Sequence, residues 1–332
     1  MSAQAATDAR EQVLAELRRA SKFCLVTHEH VDGDALGSLV AMRELLAQLG
    51  KDVSMFVPDS ELPLPPEYCS FGLEGAVGAP PGDIAERTII FLDCGNIERT
   101  PAGACKPPEG TMLVNIDHHH DNTRFGAVNY VVPEASCTAE LVWDLAHGLG
   151  AEITPSIAEA LYIGLVTDTG RFMYENTGAR AHRMAAELID AGVDVNGVYR
   201  RLYEGVPYGK LELLARGLAR TKRYDDGRLT ISCLTRSDFA DTGADDSFSE
   251  GVIDYLRTVD GTAVAALARE LEPDNGSPFL KVSLRSTDAR VDVSVIARAS
   301  GGGGHRRAAG FRTELDWDGV VAFLRAEIER QL

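Results

Sequence analysis

The chain has 332 residues, room for about two domains, and 45% of them are apolar, enough to bury a sizeable core. Its 33 basic and 50 acidic residues leave a net charge of -17, which excludes bulk attraction for long nucleic acid and requires any anionic substrate to be held by local cations, namely metals and a few arginines. No run approaches the ~20 apolar residues of a membrane span, residues 1–10 lack the signature of a signal peptide, and the six cysteines form no CxxC pair, so a reducing, cytoplasmic compartment without a membrane partner is expected.

In chain order, residues 9–20 have the spacing of an amphipathic helix (Val13, Leu14, Leu17). A strand over 23–27 is followed by the acidic loop Thr27-His28-Glu29-His30-Val31-Asp32-Gly33-Asp34 and by a helix over 35–49 that Gly50 ends. A second strand spans 53–57, and 58–83, rich in Pro and Gly, reads as irregular or short helical structure. Buried-type strands at 88–92 and 112–116 end at Asp93 and Asp117. Apolar strands alternating with helices predict an α/β fold, a largely parallel sheet with helices on both faces, whose ligands bind beyond the carboxyl ends of the strands. Helices follow at 137–149, 155–167 and 178–191. The helical segment 193–227 has no partner strand and reads as a connector between a catalytic domain, 1–192, and a smaller α/β domain, 228–332. The latter shows strands at 229–234, 263–270, 279–285 and 308–313 and helices near 249–258, 291–299 and 316–330.

The residues with chemistry cluster at strand ends. His28, Asp32 and Asp34 combine imidazole with hard oxygen donors, a set suited to Mn, Mg or Zn. On their own, the two aspartates could simply cap the helix at 35. Asp93 follows a buried strand beside Gly95 and is placed to bridge two metals, or to make a turn. Asp117-His118-His119-His120-Asp121-Asn122 leaves a strand with consecutive imidazoles pointing different ways, so one can ligate while the next faces substrate and Asp117 orients a ring. Asp168, after an apolar helix, can supply a further oxygen. No GxGxxG follows the first strand, which excludes a dinucleotide oxidoreductase.

The stretches His28-x-x-x-Asp32-Gly33-Asp34-Ala35, Asp93-x-Gly95, Asp117-His118-His119-x-x-Asn122 and Gly164-Leu165-x-x-Asp168-Thr169-Gly170 resemble, in order, the motifs of the DHH phosphoesterase superfamily. Gly301-Gly302-Gly303-Gly304-His305-Arg306-Arg307-Ala308-Ala309-Gly310, with Ser283-Leu284-Arg285-Ser286 upstream, resembles the signature of its DHH-associated domain. One departure is Val31, where the family often has proline.

The resemblance implies two Mn2+ ions, with Mg2+ or Co2+ as substitutes. His28, Asp32 and Asp93 would hold one, and Asp34, Asp93, His118 and Asp168 the other, with Asp93 as catalytic bridge. His30 and His120 are not among the usual ligands. It implies hydrolysis by metal-activated water, with His119 contacting the phosphate and protonating the leaving oxygen. The second domain would face the metals across a cleft. There Arg285, Ser286, the backbone of Gly302, Gly303 and Gly304, and His305 would take a terminal phosphate, with Arg99 and Asn122 as further substrate contacts. The substrates so implied are short oligoribonucleotides, cut to mononucleotides, and 3'-phosphoadenosine 5'-phosphate (pAp). The alternative is a cyclic or linear dinucleotide such as c-di-AMP, pApA or pGpG. A homodimer is compatible with the resemblance.

Overall fold

In the computed structural model, which describes residues 3–332 except 70, 72, 74, 75, 101–107, 245, 250 and 272–278, the chain divides into two compact units, 1–204 and 205–332. The first unit holds α1 (Ala3–Arg19), β1 (Lys22–Val26), α2 (Gly33–Gln48), β2 (Asp52–Phe56), β3 (Ala76–Val77), β4 (Thr88–Leu92), β5 (Leu113–Asp117), β6 (Val128–Val131), α3 (Thr138–Leu149), α4 (Pro155–Asp168), α5 (Ala179–Asp190) and α6 (Val195–Tyr203). Its strands form one parallel sheet in the order β3-β2-β1-β4-β5-β6. The chain winds outward from β1 in one direction and from β4 in the other. The carboxyl ends of β1 and β4 therefore flank the switch point, where crossover connections diverge and leave a crevice.

Strand alternation sorts the core. Phe23, Leu25, Ile90, Leu92, Val114 and Ile116 face the helical layer, where α2 contributes Leu36, Leu39 and Met42. Cys24, Val26, Phe56, Ile89 and Phe91 face the other way. Among the described residues that second face is closed by Ile84, Ile97 and Phe125, from short 3-10 turns and a loop, instead of the second layer of helices expected from the sequence. Strand β6 was not expected: it is short, and Asn129 interrupts its apolar pattern.

The second unit holds α7 (Tyr208–Ala219), β7 (Lys222–Tyr224), β8 (Leu229–Leu234), α8 (Arg236–Thr242), α9 (Val252–Arg257), β9 (Val264–Leu271), β10 (Phe279–Ser286), α10 (Val293–Ala299), β11 (Gly303–His305), β12 (Ala308–Thr313) and α11 (Trp317–Glu329). Its sheet, ordered β11-β12-β10-β9-β8-β7, is antiparallel except for the β8–β9 pair. Val293, Ile296, Val320 and Leu324 of α10 and α11 cover one face. Leu213 of α7 and Val252 and Leu256 of α9 pack on Leu234, Ala265 and Leu267 of the other. The segment 193–227 is thus divided: α6 belongs to the first unit, whereas α7 and β7 are built into the second. Among the described residues no helix is long and apolar enough to cross a membrane.

The glycine run is part of the sheet. Gly303 pairs with Gly310 and Gly304 with Ala309. A Cβ at Gly302 would meet the Gly310 carbonyl oxygen at 2.2 Å, so the close approach of the two segments requires glycine there.

Candidate metal centre

The loop after β1 carries the first ligand candidates. His28 is buried, and its Nδ1 lies 2.7 Å from the Glu29 carbonyl oxygen. A proton on Nδ1 donated to that carbonyl leaves Nε2 as a lone-pair donor facing Asp93 Oδ2 at 3.5 Å and Asp32 Oδ2 at 3.9 Å. Asp32 does two jobs that the sequence left as alternatives. Its Oδ1 caps α2 by accepting the Asp34 and Ala35 N–H groups at 3.1 and 3.0 Å, while Oδ2 stays on the side of His28. Gly33 is needed for a steric reason, since a Cβ there would lie 2.4 Å from Thr167 Oγ1 on α4. His30 takes a left-handed conformation, φ 60°, and Glu61 Oε2 accepts the N–H groups of His30 and Val31 at 3.0 and 3.3 Å. A proline at 31, common in the family, would have no N–H to give.

Asp34 is buried at the start of α2 and points at the start of α3. Its oxygens accept the N–H groups of Thr138 at 2.6 Å and Ala139 at 2.8 Å. Asp93, beyond β4, is buried and left-handed at φ 57°. Its Oδ1 accepts the Thr138 hydroxyl at 2.9 Å. Beyond β5, His118 Nε2 lies 3.7 Å from Asp93 Oδ1, 3.6 Å from Asp168 Oδ2 and 4.0 Å from Asp34 Oδ2. His119 turns the other way, with Nδ1 2.7 Å from Asp117 Oδ1 and 3.6 Å from Asp93 Oδ1. Asp168, at the end of α4, accepts the Asn176 amide at 3.2 Å.

The structure therefore brings together His28, Asp32 and Asp93 as one group of potential ligands and Asp34, His118 and Asp168 as another, the atoms of each lying within 4.8 Å of one another. Asp93 with His118 and His119 forms a third such group, so Asp93 reaches both sets. The separations of 3.5–4.0 Å are too long for hydrogen bonds. They suit atoms that share a cation at ~2.1 Å from each. His30 and His120 are exposed and belong to none of the three groups.

The electrostatics agree with a cationic occupant. Burial, with the charges of Asp93, Asp168 and Asp32 adding to it, pushes Asp34 well above the usual carboxylate range. Burial is also the main cause that raises Asp168 to about 6, against the opposing pull of His118. Burial would raise Asp93 too, but His28, His119 and His118 outweigh it and hold the group below its ordinary value. Burial disfavours the charged ring of His119. The hydrogen bond to Asp117 and the charge of Asp93 overcome that and raise it to about 9. Carboxylates crowded this closely, with imidazoles beside them, repel one another unless protonated or bound to a divalent ion.

The remaining sequence candidates are placed as follows. Asn122 Nδ2 donates to Asn115 Oδ1 at 2.7 Å and to Asp117 Oδ2 at 2.5 Å, and its Oδ1 accepts the Arg124 N–H. Its amide therefore braces Asp117. Arg99 is exposed, and its carbonyl accepts the Glu29 N–H, which puts it beside the His28 loop. In the second unit, Arg285 lies on the β10 face opposite Val282 and Leu284, where its guanidinium donates to the Leu284 carbonyl. Ser286 is buried, and its hydroxyl lies 2.9 Å from the carbonyls of Asp288 and Val291, which occupy its one proton. Gly303 and Gly304 are exposed; the His305 side chain lies outside what is described. Sequence reasoning missed Glu61, Thr138 and Asn176. A Ser-x-Thr pair before a helix was the one visible signal among them.

The profile of the DHH family, N-terminal domain, matches residues 22–165, and that of the DHHA1 domain matches 227–332. The chain is 33% identical to a Thermus thermophilus protein named bifunctional oligoribonuclease and PAP phosphatase NrnA, over 92% of this chain and 90% of that one. A Bacillus subtilis protein of the same name is 25% identical over 89% and 90% of the two chains. Among solved structures, an exopolyphosphatase-related protein from Bacteroides fragilis superposes with a TM-score of 0.83 at 25% identity, covering 98% of this chain and 96% of that one.

Proposed function

Since the chain belongs to the DHH family, whose members named above include hydrolases of short RNA and PAP, we propose that it is a divalent-metal-dependent phosphoesterase. Its substrates are short oligoribonucleotides, released as mononucleotides, and pAp. The observation that supports this most directly is Asp93, a buried carboxylate whose two oxygens face two separate groups of ligand atoms at the carboxyl edge of the β1–β4–β5 strands.

His28, Asp32 and Asp93 would hold one ion, and Asp34, Asp93, His118 and Asp168 the other, with Mn2+ the metal proposed. When bound, such ions supply Lewis acidity, which activates water and offsets charge at phosphorus. The chain's own residues do the rest. The Asp117 carboxylate fixes the ring of His119 through Nδ1, a hydrogen bond that favours the protonated ring. Its Nε2–H is then free to donate to a phosphoryl or leaving oxygen. Arg99, exposed beside the His28 loop, supplies a cation for the substrate. In the second unit, Arg285 and the exposed Gly303 and Gly304 take the distal phosphate. With a net charge of -17 on the whole chain, these local cations favour short fragments over long strands.

A single panel with Mn2+ tests the reading: pAp, di- to pentanucleotides, long single strands, cyclic dinucleotides and pyrophosphate. The expected order puts pAp and the shortest oligonucleotides first in kcat/KM. Equal rates on long strands, or preference for pyrophosphate or a cyclic dinucleotide, would replace it.

A further inference from the structure

We propose that Thr138 is a positioning residue of the metal centre, whose hydroxyl sets the bridging orientation of Asp93. The inference rests on the two-ion reading above and names the side chain that makes the bridge work.

Thr138 is completely buried as the first residue of α3. It lies one residue past the N-cap, Cys137, and its hydroxyl donates to Asp93 Oδ1 at 2.9 Å. Forming the helix does not require that hydroxyl. The terminal torsion of an aspartate is broad, so an unrestrained carboxylate could turn both oxygens away from a shared position. With Oδ1 tied to Thr138, that oxygen stays toward His118 at 3.7 Å, and Oδ2 stays toward His28 at 3.5 Å. One oxygen is thereby presented to each ligand group. The same residue's N–H holds Asp34 Oδ2 at 2.6 Å, so Thr138 fixes two of the carboxylates at once.

Its neighbours extend the arrangement. The Ala135 carbonyl lies 3.4 Å from His118 Nδ1. The Ser136 carbonyl accepts the Asn176 amide at 2.8 Å, and that amide also donates to Asp168 Oδ2. The segment 135–139 thus touches, directly or through Asn176, ligands that come from α2, β4, β5 and α4. In the metal-free chain a side chain of the same shape without a donor would remove the hydrogen bond that Asp93 Oδ1 accepts at this buried point.

The test is a Mn2+ titration of the metal-free full chain, read by calorimetry for stoichiometry and by electron paramagnetic resonance for spin coupling between ions that share a carboxylate. The wild type is expected to bind two ions with a coupled spectrum. Thr138→Val keeps the shape and removes the donor. It should weaken the second ion about 10- to 100-fold, the usual effect of losing a group that orients a ligand, and give the spectrum of isolated Mn2+. Thr138→Ser should restore the coupled spectrum. If Thr138→Val fails to fold, Thr138→Ala carries the same expectation. A coupled pair at wild-type affinity in the valine or alanine variant, or a serine variant that behaves like valine, overturns the role of the hydroxyl alone. A wild type that binds no pair overturns the two-ion reading and this inference with it.

Discussion

His119 and Asp117 meet through Nδ1 and Oδ1 at 2.7 Å, with the Asp117 side chain fully buried and the ring about one-third exposed at 32%. The pair makes a charged ring out of an ordinary imidazole, and its signature is a pH dependence. A histidine raised from 6.5 to about 9 in the folded chain stabilises the fold fully below pH 6.5. That contribution is lost as the pH rises through about 9. The melting temperature of the metal-free protein should therefore fall between those limits. In His119→Asn the decline should shrink, and equal declines in the two proteins would show that the ring is not the group that titrates.

Asp93→Ala should lower kcat/KM on every substrate by on the order of 10³-fold, about 4 kcal/mol of transition-state stabilisation. Circular dichroism should stay native, because Asp93 lies beyond the strand and outside the apolar core. Near-normal turnover in this variant would remove the shared carboxylate from the mechanism.

Metal binding should release protons. Asp168 sits at about 6 and Asp34 well above the usual range, and both must ionise to ligate. Mn2+ affinity should rise with pH through about 6. Calorimetry in buffers of different ionisation enthalpy counts the protons. Asp168→Asn should release fewer, and an unchanged count would mean that Asp168 is already ionised or does not ligate.

Arg285→Ala should raise KM about 10-fold, equivalent to ~1.4 kcal/mol, for substrates with a terminal phosphate and leave kcat nearly unchanged. Dinucleotides with and without that phosphate, compared by steady-state kinetics, separate the two parameters. A loss confined to kcat would place the arginine elsewhere in the reaction.

Glu61→Ala should cost about 1–2 kcal/mol of stability, because two backbone N–H groups lose their acceptor. The His28–Asp32 loop should then hold its ion less tightly. Val31→Pro should be harmful here despite the family's habit, since it removes one of those donors and disfavours the left-handed conformation of His30. Denaturant melts and Mn2+ titrations of both variants check this, and a stabilised Val31→Pro protein would count against it.

The ligands were legible because each needs a particular side chain at a strand or helix end, and such ends announce themselves through apolar runs. Thr88–Leu92, Leu229–Leu234 and Ala308–Thr313 fall where their patterns place them. The groups that aim the ligands were not legible. Thr138 meets Asp34 across 104 residues, and Glu61 meets Val31 across 30, in contacts that only the folded chain creates. In the sequence the glycine run offers only its backbone, as a seat for a terminal phosphate, and gives no sign that Gly303–His305 is an edge strand. Pairing with β12 overrides the local preference, because a stretch without side chains can lie flush against a neighbour.

Nearly all the reactive groups hang from the carboxyl rim of the first sheet, whereas the residues that hold the sheet together, such as Phe23, Ile90 and Ile116, lie beneath it. Disabling the chemistry therefore leaves the architecture standing. A chain silenced at His119, with every proposed metal ligand intact, would become a decoy that embraces its natural ligand without cutting it, and mass spectrometry of what co-purifies with it would reveal what a cell offers this protein.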